Sequence, residues 1–263
     1  MPEFASRRLA LWARSQAELG MGREALAAWA AQAGFAPSQV AEALDMAEAQ
    51  GAFDARPDSL ISGPGAGAWR LPGGIECRLW MKAPEIALFD GVVSPEQARA
   101  IERSAELRLA PSLVAGSAPT PARGRSSKSR SFEPGECAAA DALRGRLASL
   151  LGVGLERLEK LQATRYDAGG FYAPHYDHFP EGHPRAGDGS QRVATFVVYL
   201  GEPESGGQTV IEPVGLSVAP KAGSALYFAY PDQSSRELCL HASAPCSGGK
   251  WIATQWVRAA HGI

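Results

Sequence analysis

The chain has 263 residues, of which 45% are apolar and 21% charged, so it can bury a sizeable core and is not wholly disordered. Its 26 basic and 28 acidic residues give a formal net charge of −2, which does not indicate a nucleic-acid-binding protein. No apolar run is long enough for a membrane span or a signal segment, and the four scattered cysteines form no CxxC pair, so we expect a cytoplasmic protein without membrane partners.

The first fifty residues are rich in alanine, which accounts for fifteen of them, and their apolar positions recur at helical spacing. This spacing predicts three short helices within residues 4–50. Glycine and proline are concentrated in residues 63–74, which predicts a linker or an ordered loop. We therefore divide the chain into a helical extension with its linker, residues 1–75, and a second domain, residues 76–263.

The middle of the chain mixes strand and helix signals. The run Ile86–Val93 predicts a short strand, and Ser94-Pro-Glu-Gln predicts a helix start because serine caps the helix and proline suits its first position. That helix is expected to turn Ala98, Ile101 and Ala105 inward. A second helix is predicted over residues 138–151, after a polar loop and strand region at 111–135.

From Leu161 onward, short apolar or alternating segments are separated by glycine-rich and proline-rich turns, which is typical of a sandwich, jelly roll or barrel. Together with the flanking helices, these segments predict the α+β fold class. The predicted strands are Leu161–Tyr166, Tyr172–His178, Val193–Leu200, Thr209–Ile211, Leu216–Ala219, Ala225–Tyr230, Leu238–His241 and Trp251–Val257.

A metal site is predicted around His175 and Asp177, because side chains two residues apart in a strand share one face. Two imidazoles and one carboxylate leave open positions on an octahedral ion, as non-haem Fe(II) oxygenases require. His241 is the best candidate for the third ligand because it ends a predicted strand. His178 and His183 lie in the loop beyond Asp177 and remain alternatives.

Three segments give the candidate ligands a more specific context. They are Tyr166-Asp-Ala-Gly-Gly-Phe-Tyr172-Ala-Pro-His175-Tyr-Asp177, Gly206-Gly-Gln-Thr209 and His241-Ala-Ser-Ala-Pro-Cys-Ser-Gly-Gly-Lys250-Trp-Ile-Ala-Thr-Gln-Trp256. At these segments the sequence resembles the prolyl 4-hydroxylase family of Fe(II)- and 2-oxoglutarate-dependent dioxygenases, and the resemblance extends from about residue 86 to residue 258. It implies a double-stranded β-helix (jelly-roll) core flanked by helices, with His175, Asp177 and His241 as the iron ligands.

The resemblance also implies the residues that bind 2-oxoglutarate. Strand alternation places Lys250 on the inner face of its strand, where an ammonium group needs an anion. In the family this lysine holds the distal carboxylate of the cosubstrate, with help from Thr209 and Tyr166. The chain departs from the family in two places: the spacing from His241 to Lys250 is one residue shorter than is common, and Gln208 stands where an acid is common.

The family's substrate contacts match a further set of residues in this sequence. The resemblance implies hydroxylation of an unactivated C–H bond with Fe(II), 2-oxoglutarate and O₂, with ascorbate as a candidate reductant. A prolyl residue in a peptide is the favoured substrate, a free or carrier-bound proline-like amino acid is the alternative, and a non-catalytic jelly-roll binding module is the remote one. The matched residues are Arg125, Ser127, Glu159, Tyr172, Arg192, Trp256 and Arg258.

Overall fold

A computed structural model describes residues 9–10, 13–14, 23–49, 70–112, 124–186 and 191–259. Within these ranges the chain forms five α-helices with complete bounds, several 3₁₀ turns and three antiparallel sheets, which confirms the predicted α+β class. The α-helices are α1 (Arg23–Gln32), α2 (Pro37–Ala49), α3 (Pro95–Glu106), α4 (Ala138–Leu151) and α5 (Gln233–Glu237). The 3₁₀ turns are Pro72–Gly74, Leu155–Arg157, Pro184–Ala186 and Glu212–Val214.

The strands form one large sheet, one small sheet and a two-stranded ribbon. In chain order they are β1 (Arg70–Leu71), β2 (Ile75–Lys82), β3 (Glu85–Asp90), β4 (Ala110–Pro111), β5 (Lys128–Ser131), β6 (Gln162–Tyr166), β7 (Tyr172–His175), β8 (Arg192–Tyr199), β9 (Ser205–Gly206), β10 (Thr209–Ile211), β11 (Leu216–Val218), β12 (Ala225–Ala229), β13 (His241–Ser243), β14 (Cys246–Ser247) and β15 (Lys250–Arg258). The large sheet has the order β1-β2-β3-β12-β8-β15-β6-β5-β4, the small sheet has the order β11-β10-β13-β7, and β14 pairs with β9. These paired antiparallel sheets are consistent with the jelly roll that the resemblance implies.

The large sheet separates two hydrophobic clusters, and strand β8 contributes to both. In β8, Ala194, Phe196 and Val198 join the cluster that includes the inward faces of α3 and α4. Val197 and Tyr199 join the cluster that the large and small sheets share. The period of two along a strand therefore places the helices on one face of the large sheet and the small sheet on the other.

Helices α3 and α4 follow the predicted bounds. Ser94 caps α3 through a reciprocal pair of hydrogen bonds with Gln97, and Ala98, Ile101 and Ala105 are buried as expected. The left-handed backbone of Gly152 closes α4 at the predicted end.

The N-terminal helices have a hydrophobic cluster of their own. Helices α1 and α2 confirm two of the three helices predicted there, whereas most of the first predicted helix lies outside the described residues. Strand β1, within the predicted linker, pairs with β2 and belongs to the large sheet. The domain division between residues 75 and 76 stays a prediction. The cluster consists of Leu9, Ala10, Ala13, Leu26, Ala30, Val40, Ala43, Leu44 and Ala47.

Two predicted strands were wrong in their bounds or position, and four strands were missed: β2 and the two-residue strands β1, β9 and β14. Residues 238–240 follow helix α5 instead of forming a strand, because the amides of Leu238 and Cys239 donate to the carbonyls of Ser235 and Arg236 and continue its turn. Strand β7 ends at His175 instead of continuing to His178. Among the described helices, none combines the length and the apolar character needed to cross a bilayer.

Candidate active site

The predicted metal ligands come together between the two sheets. His175, Asp177 and His241 each offer one ligand atom, and these three atoms lie within 4.8 Å of one another. The Nε2 atoms of His175 and His241 lie 3.8 Å and 3.6 Å from the two carboxylate oxygens of Asp177. In the described part of the chain, no other group of three histidine, cysteine or acidic residues is close enough to hold a metal ion.

Strand register produces this convergence. His241 opens β13 and lies directly opposite His175, the last residue of β7, so the two imidazole rings stand 4.2 Å apart between centroids. The chain turns after His175, and Asp177 comes back toward the same point. A turn thus supplies the carboxylate, although the sequence predicted that it lay in the strand.

Backbone carbonyls set the tautomers of both imidazoles. Nδ1 of His175 lies 2.9 Å from the carbonyl of Ala173, and Nδ1 of His241 lies 3.0 Å from the carbonyl of Cys239. A carbonyl only accepts, so each Nδ1 carries the proton and each Nε2 presents a lone pair. Burial, and then the nearby His241, lower the pKa of His175 to about 4, which favours the neutral ring that metals require.

A chain of hydroxyl groups holds the Asp177 carboxylate. Thr195 Oγ1 donates to Asp177 Oδ2 at 2.8 Å and lies 2.7 Å from the hydroxyl of Tyr230. Because a hydroxyl has one proton, Thr195 must accept from Tyr230 while it donates to Asp177. Burial alone would raise the pKa of Asp177, but the two imidazoles, Arg192 and the Thr195 hydrogen bond lower it to about 2. The group is therefore an oriented carboxylate at neutral pH.

A buried lysine lies at the end of the cleft that begins at these ligands. Lys250 opens β15 opposite Tyr166 and is 3% exposed. Its Nζ donates to the carbonyl of Gly207 at 2.6 Å and to Ser243 Oγ at 2.7 Å. Burial lowers the pKa of Lys250 to about 8, so the protein keeps a cation here at an electrostatic cost that an anion would offset.

Thr209 is the second polar group in this cleft. Its Oγ1 accepts a hydrogen bond of 2.8 Å from the hydroxyl of Tyr199, which orients its own proton toward another acceptor. The two glycines before it have left-handed backbones, and a Cβ on Gly206 would lie 2.3 Å from the carbonyl of Pro245. This close approach explains the glycine pair in the Gly206-Gly-Gln-Thr209 motif.

A larger cavity of about 900 Å³ opens beside the predicted metal ligands. The described residues that line it include five of the seven predicted substrate contacts. The other two, Ser127 and Arg258, each contact one residue that lines the cavity. Arg125 Nε donates to Ser127 Oγ at 2.7 Å, and Arg258 pairs with Glu159. The five that line the cavity are Arg125, Glu159, Tyr172, Arg192 and Trp256.

Four of the charged residues at this cavity form one group, which we call the arginine cluster: Glu159, Arg185, Arg192 and Arg258. Arg192 binds the Glu159 carboxylate through Nε and Nη2 at 2.8 Å and 2.9 Å, while Arg185 and Arg258 lie 3.2 Å and 3.3 Å from it. Arg192 and Arg258 stand opposite each other in neighbouring strands, where like charges repel. The carboxylate offsets that repulsion, and its pKa is lowered by these arginines although burial opposes them.

Comparison with known proteins agrees with this geometry. The profile of the 2OG-Fe(II) oxygenase superfamily matches residues 161–258. The chain is 31% identical to prolyl 4-hydroxylase subunit alpha-1 of Gallus gallus over 68% of its own length and 36% of that subunit, so it spans about a third of this relative. It is 29% identical to "Probable prolyl 4-hydroxylase 9" of Arabidopsis thaliana over 71% of its own length and 73% of that protein.

A solved structure decides the family. The viral collagen prolyl hydroxylase of Paramecium Bursaria Chlorella virus-1, in its complex with 2OG, is 30% identical and superposes with a TM-score of 0.53 over 66% of this chain and 96% of that chain. The chain belongs to the prolyl 4-hydroxylase family. That family uses ferrous iron and 2-oxoglutarate, and the residues of this site fit both groups. Two imidazoles and one carboxylate suit Fe(II), and the buried ammonium of Lys250 suits a distal carboxylate.

The shortened spacing between His241 and Lys250 leaves this family site intact. Cys246 and Ser247 form β14 within the connecting turn, and Gly248 and Gly249 adopt left-handed backbones before β15 begins. Pairing with β6 then starts at Lys250, opposite Tyr166.

Three residues that contact the prolyl 4-hydroxylase site were not found from the sequence. Thr195 and Tyr230 hold the Asp177 carboxylate, and Ser243 contacts Lys250. Thr195 had a visible signal, because it is a polar residue inside an otherwise apolar strand. The other two become recognisable only when the strands are paired.

Proposed function

We propose that this chain is a prolyl 4-hydroxylase-like dioxygenase that hydroxylates a prolyl residue in a peptide or protein, using Fe(II), 2-oxoglutarate and O₂. The proposal depends mainly on one observation. The His175, Asp177 and His241 donors and the buried Lys250 ammonium line the same cleft, which supports a metal site and an anion site that lie side by side.

Each residue of the cleft would have a separate task. His175, Asp177 and His241 would hold the iron, which together with 2-oxoglutarate and O₂ supplies the oxidant that converts C–H into C–OH. Lys250 and Thr209 would bind the distal carboxylate of 2-oxoglutarate through one charged and one neutral donor. Tyr166, opposite Lys250 and buried beside it, would close that end of the cleft.

The shape of the large cavity supports a peptide rather than a free amino acid. Its volume of about 900 Å³ is near the upper end for small-molecule sites, far more than a single proline fills. The aromatic side chains of Tyr172, Tyr176 and Trp256 line it, and aromatic-lined grooves suit proline-rich segments in extended conformation. We propose Arg125, Ser127, Glu159, Arg192 and Arg258 as the polar residues that bind or position this peptide.

The decisive experiment incubates the protein with Fe(II), 2-oxoglutarate and proline-containing peptides, in air and under argon. We expect oxygen-dependent succinate formation and the gain of one oxygen atom on a peptide proline by mass spectrometry. Hydroxylation of free L-proline with peptides untouched would instead select the amino-acid alternative. Absence of succinate formation with every substrate would leave only the binding-module alternative.

Two further parts of the proposal concern conditions in the cell. Ascorbate is proposed as the reductant that restores ferrous iron, and removing it should shorten the linear phase of turnover. A cytoplasmic location is proposed because all four cysteines are free and buried, which suits a reducing compartment. Fractionation of cells that express the tagged full chain tests the location.

A further inference from the structure

The arginine cluster carries more positive than negative charge. It contains three guanidinium groups, which stay protonated at any physiological pH, and one carboxylate. Glu159 already receives two hydrogen bonds from Arg192 and one from Arg185, so its oxygens are largely used within the cluster. Among the described residues, the positive charge of the cluster therefore exceeds its negative charge at the wall of the cavity.

The fold holds these like charges together around an aromatic ring. The guanidinium carbons of Arg185, Arg192 and Arg258 lie 5.1, 4.6 and 5.0 Å from the ring centroid of Phe179. That ring is 2% exposed, and Gln191 fixes its backbone with one accepted and one donated hydrogen bond. Ring faces attract cations, so the cluster is a built feature and not a chance meeting of surface side chains.

The rest of the cavity adds to this surplus. Among the described residues that line it, the acids are Glu159 and Asp177, and Asp177 faces the metal site. Arg125 contributes another cation, stacked 4.5 Å from the ring centroid of Tyr172. Lys160 also lines the cavity but pairs with Glu133. A concave site with an excess of one charge concentrates the opposite charge at its surface.

We infer that this cavity selects substrates that carry a carboxylate near the hydroxylated carbon, and specifically peptides with acidic side chains flanking the proline. The inference rests on the proposed function. Arg185, whose side chain is 56% exposed, is the member of the cluster that an incoming carboxylate meets first, whereas Arg192 and Arg258 are largely buried. Arg192 also donates to the backbone carbonyl of Asp177 at 3.2 Å, so the cluster borders the metal site.

The test uses three peptides of equal length with one central proline, flanked on both sides by glutamate, glutamine or lysine. All are N-acetylated and C-amidated, so their charges come only from the flanking side chains, and free L-proline is the fourth ligand. Hydroxylation is followed by mass spectrometry, and binding is followed by fluorescence anisotropy of labelled peptides. We expect kcat/KM and affinity to be at least about fivefold higher for the glutamate peptide than for the glutamine peptide, and lowest for the lysine peptide. The preference should shrink when the salt concentration is raised.

Two variants assign the preference to the cluster. Arg185→Gln should reduce the ratio of glutamate to glutamine peptide to about twofold or less, because it removes one positive charge at the cavity. Arg103→Gln makes the same change in net charge on the exposed face of helix α3, and it should keep the ratio.

The outcomes separate this inference from the proposed function. Equal affinity for the glutamate and glutamine peptides overturns the inference, even if both are hydroxylated. Better binding of the glutamate peptide with no hydroxylation of any peptide supports the inference and overturns the prolyl part of the proposed function. Tight binding of free L-proline, with the peptides bound weakly and alike, would show that the carboxylate belongs to an amino acid and overturn the peptide assignment.

Discussion

Replacing Lys250 by methionine should make the protein more stable and the cosubstrate site weaker. Burial lowers the pKa of Lys250 from 10.5 to about 8, and each pH unit corresponds to 1.36 kcal/mol. Keeping the ammonium charged in the folded protein at pH 7 therefore costs about 3 kcal/mol. Lys250→Met removes that cost and also loses hydrogen bonds to Gly207 and Ser243, each worth about 1 kcal/mol. The variant should gain about 1 kcal/mol in its free energy of unfolding.

The same change should weaken 2-oxoglutarate binding by about a hundredfold or more, because the charge partner of a buried carboxylate is lost. Thr209→Val should weaken it by only about fivefold, since one neutral donor is removed. Urea unfolding of the metal-free protein measures the first effect, and anaerobic calorimetry with Fe(II) measures the second. Lys221→Met is the matched control: this lysine is 61% exposed and pairs with Asp90, so cosubstrate affinity should not change.

The pH dependence gives an independent check. Between pH 8 and 10.5 the folded protein has released the Lys250 proton while the unfolded chain still holds it, so the free energy of unfolding should rise with pH across this window. Lys250→Met should lack that rise. A variant that is less stable than the wild type by more than about 1 kcal/mol, with cosubstrate affinity retained, would refute the reasoning.

Three other changes test the rest of the site. His241→Ala should abolish Mn(II) binding and turnover and leave the circular dichroism spectrum unchanged. His183→Ala, the control, should keep metal binding. Near-normal activity of the His241→Ala variant would reject the ligand assignment. Tyr230→Phe should lower Mn(II) affinity by about tenfold in a protein that stays folded. The reason is that Thr195, which donates to Asp177, loses the hydroxyl that donates to it. Unchanged affinity would contradict this role of Tyr230. Gly206→Ala should lower the free energy of unfolding, measured in heat or urea, by more than Gly215→Ala does. Both glycines have left-handed backbones, but of the two only Gly206 would bring a Cβ to within 2.3 Å of a carbonyl oxygen. Equal losses would argue against the close approach.

Local chemistry in the sequence predicted the elements that depend on local interactions. The Ser94-Pro-Glu-Gln start of α3 and the bounds of α4 followed from capping and periodicity, and the alternating strands followed from their period of two. The strand expected at 238–241 was wrong because the turn of α5 continues through the amides of Leu238 and Cys239, so strand pairing begins only at His241. The prediction of His175 and Asp177 as metal ligands came from a short HxD motif, whereas that of His241 came from its place at the end of a predicted strand and from the family resemblance.

The arginine cluster could not be predicted in the same way. Glu159, Arg185, Arg192 and Arg258 come from separate segments, and each one alone reads as a solvated surface charge. Their meeting depends on the register between β8 and β15 and on the position of Phe179, neither of which is encoded by local spacing. Sequence reasoning named three of these residues as substrate contacts but not their pairing with one another.

The alternation along β8 has a consequence for how this protein can change. One face of the strand, with Ala194, Phe196 and Val198, fills the core beneath the helices, while Thr195 on the other face holds the Asp177 carboxylate. Substitutions that alter the core and substitutions that alter the chemistry therefore fall on separate sets of positions in one strand. A library confined to the cavity-facing positions and the loop around Arg185 should change substrate preference with little loss of folded protein. A shift of β8 by a single residue would exchange the two faces and disrupt both together.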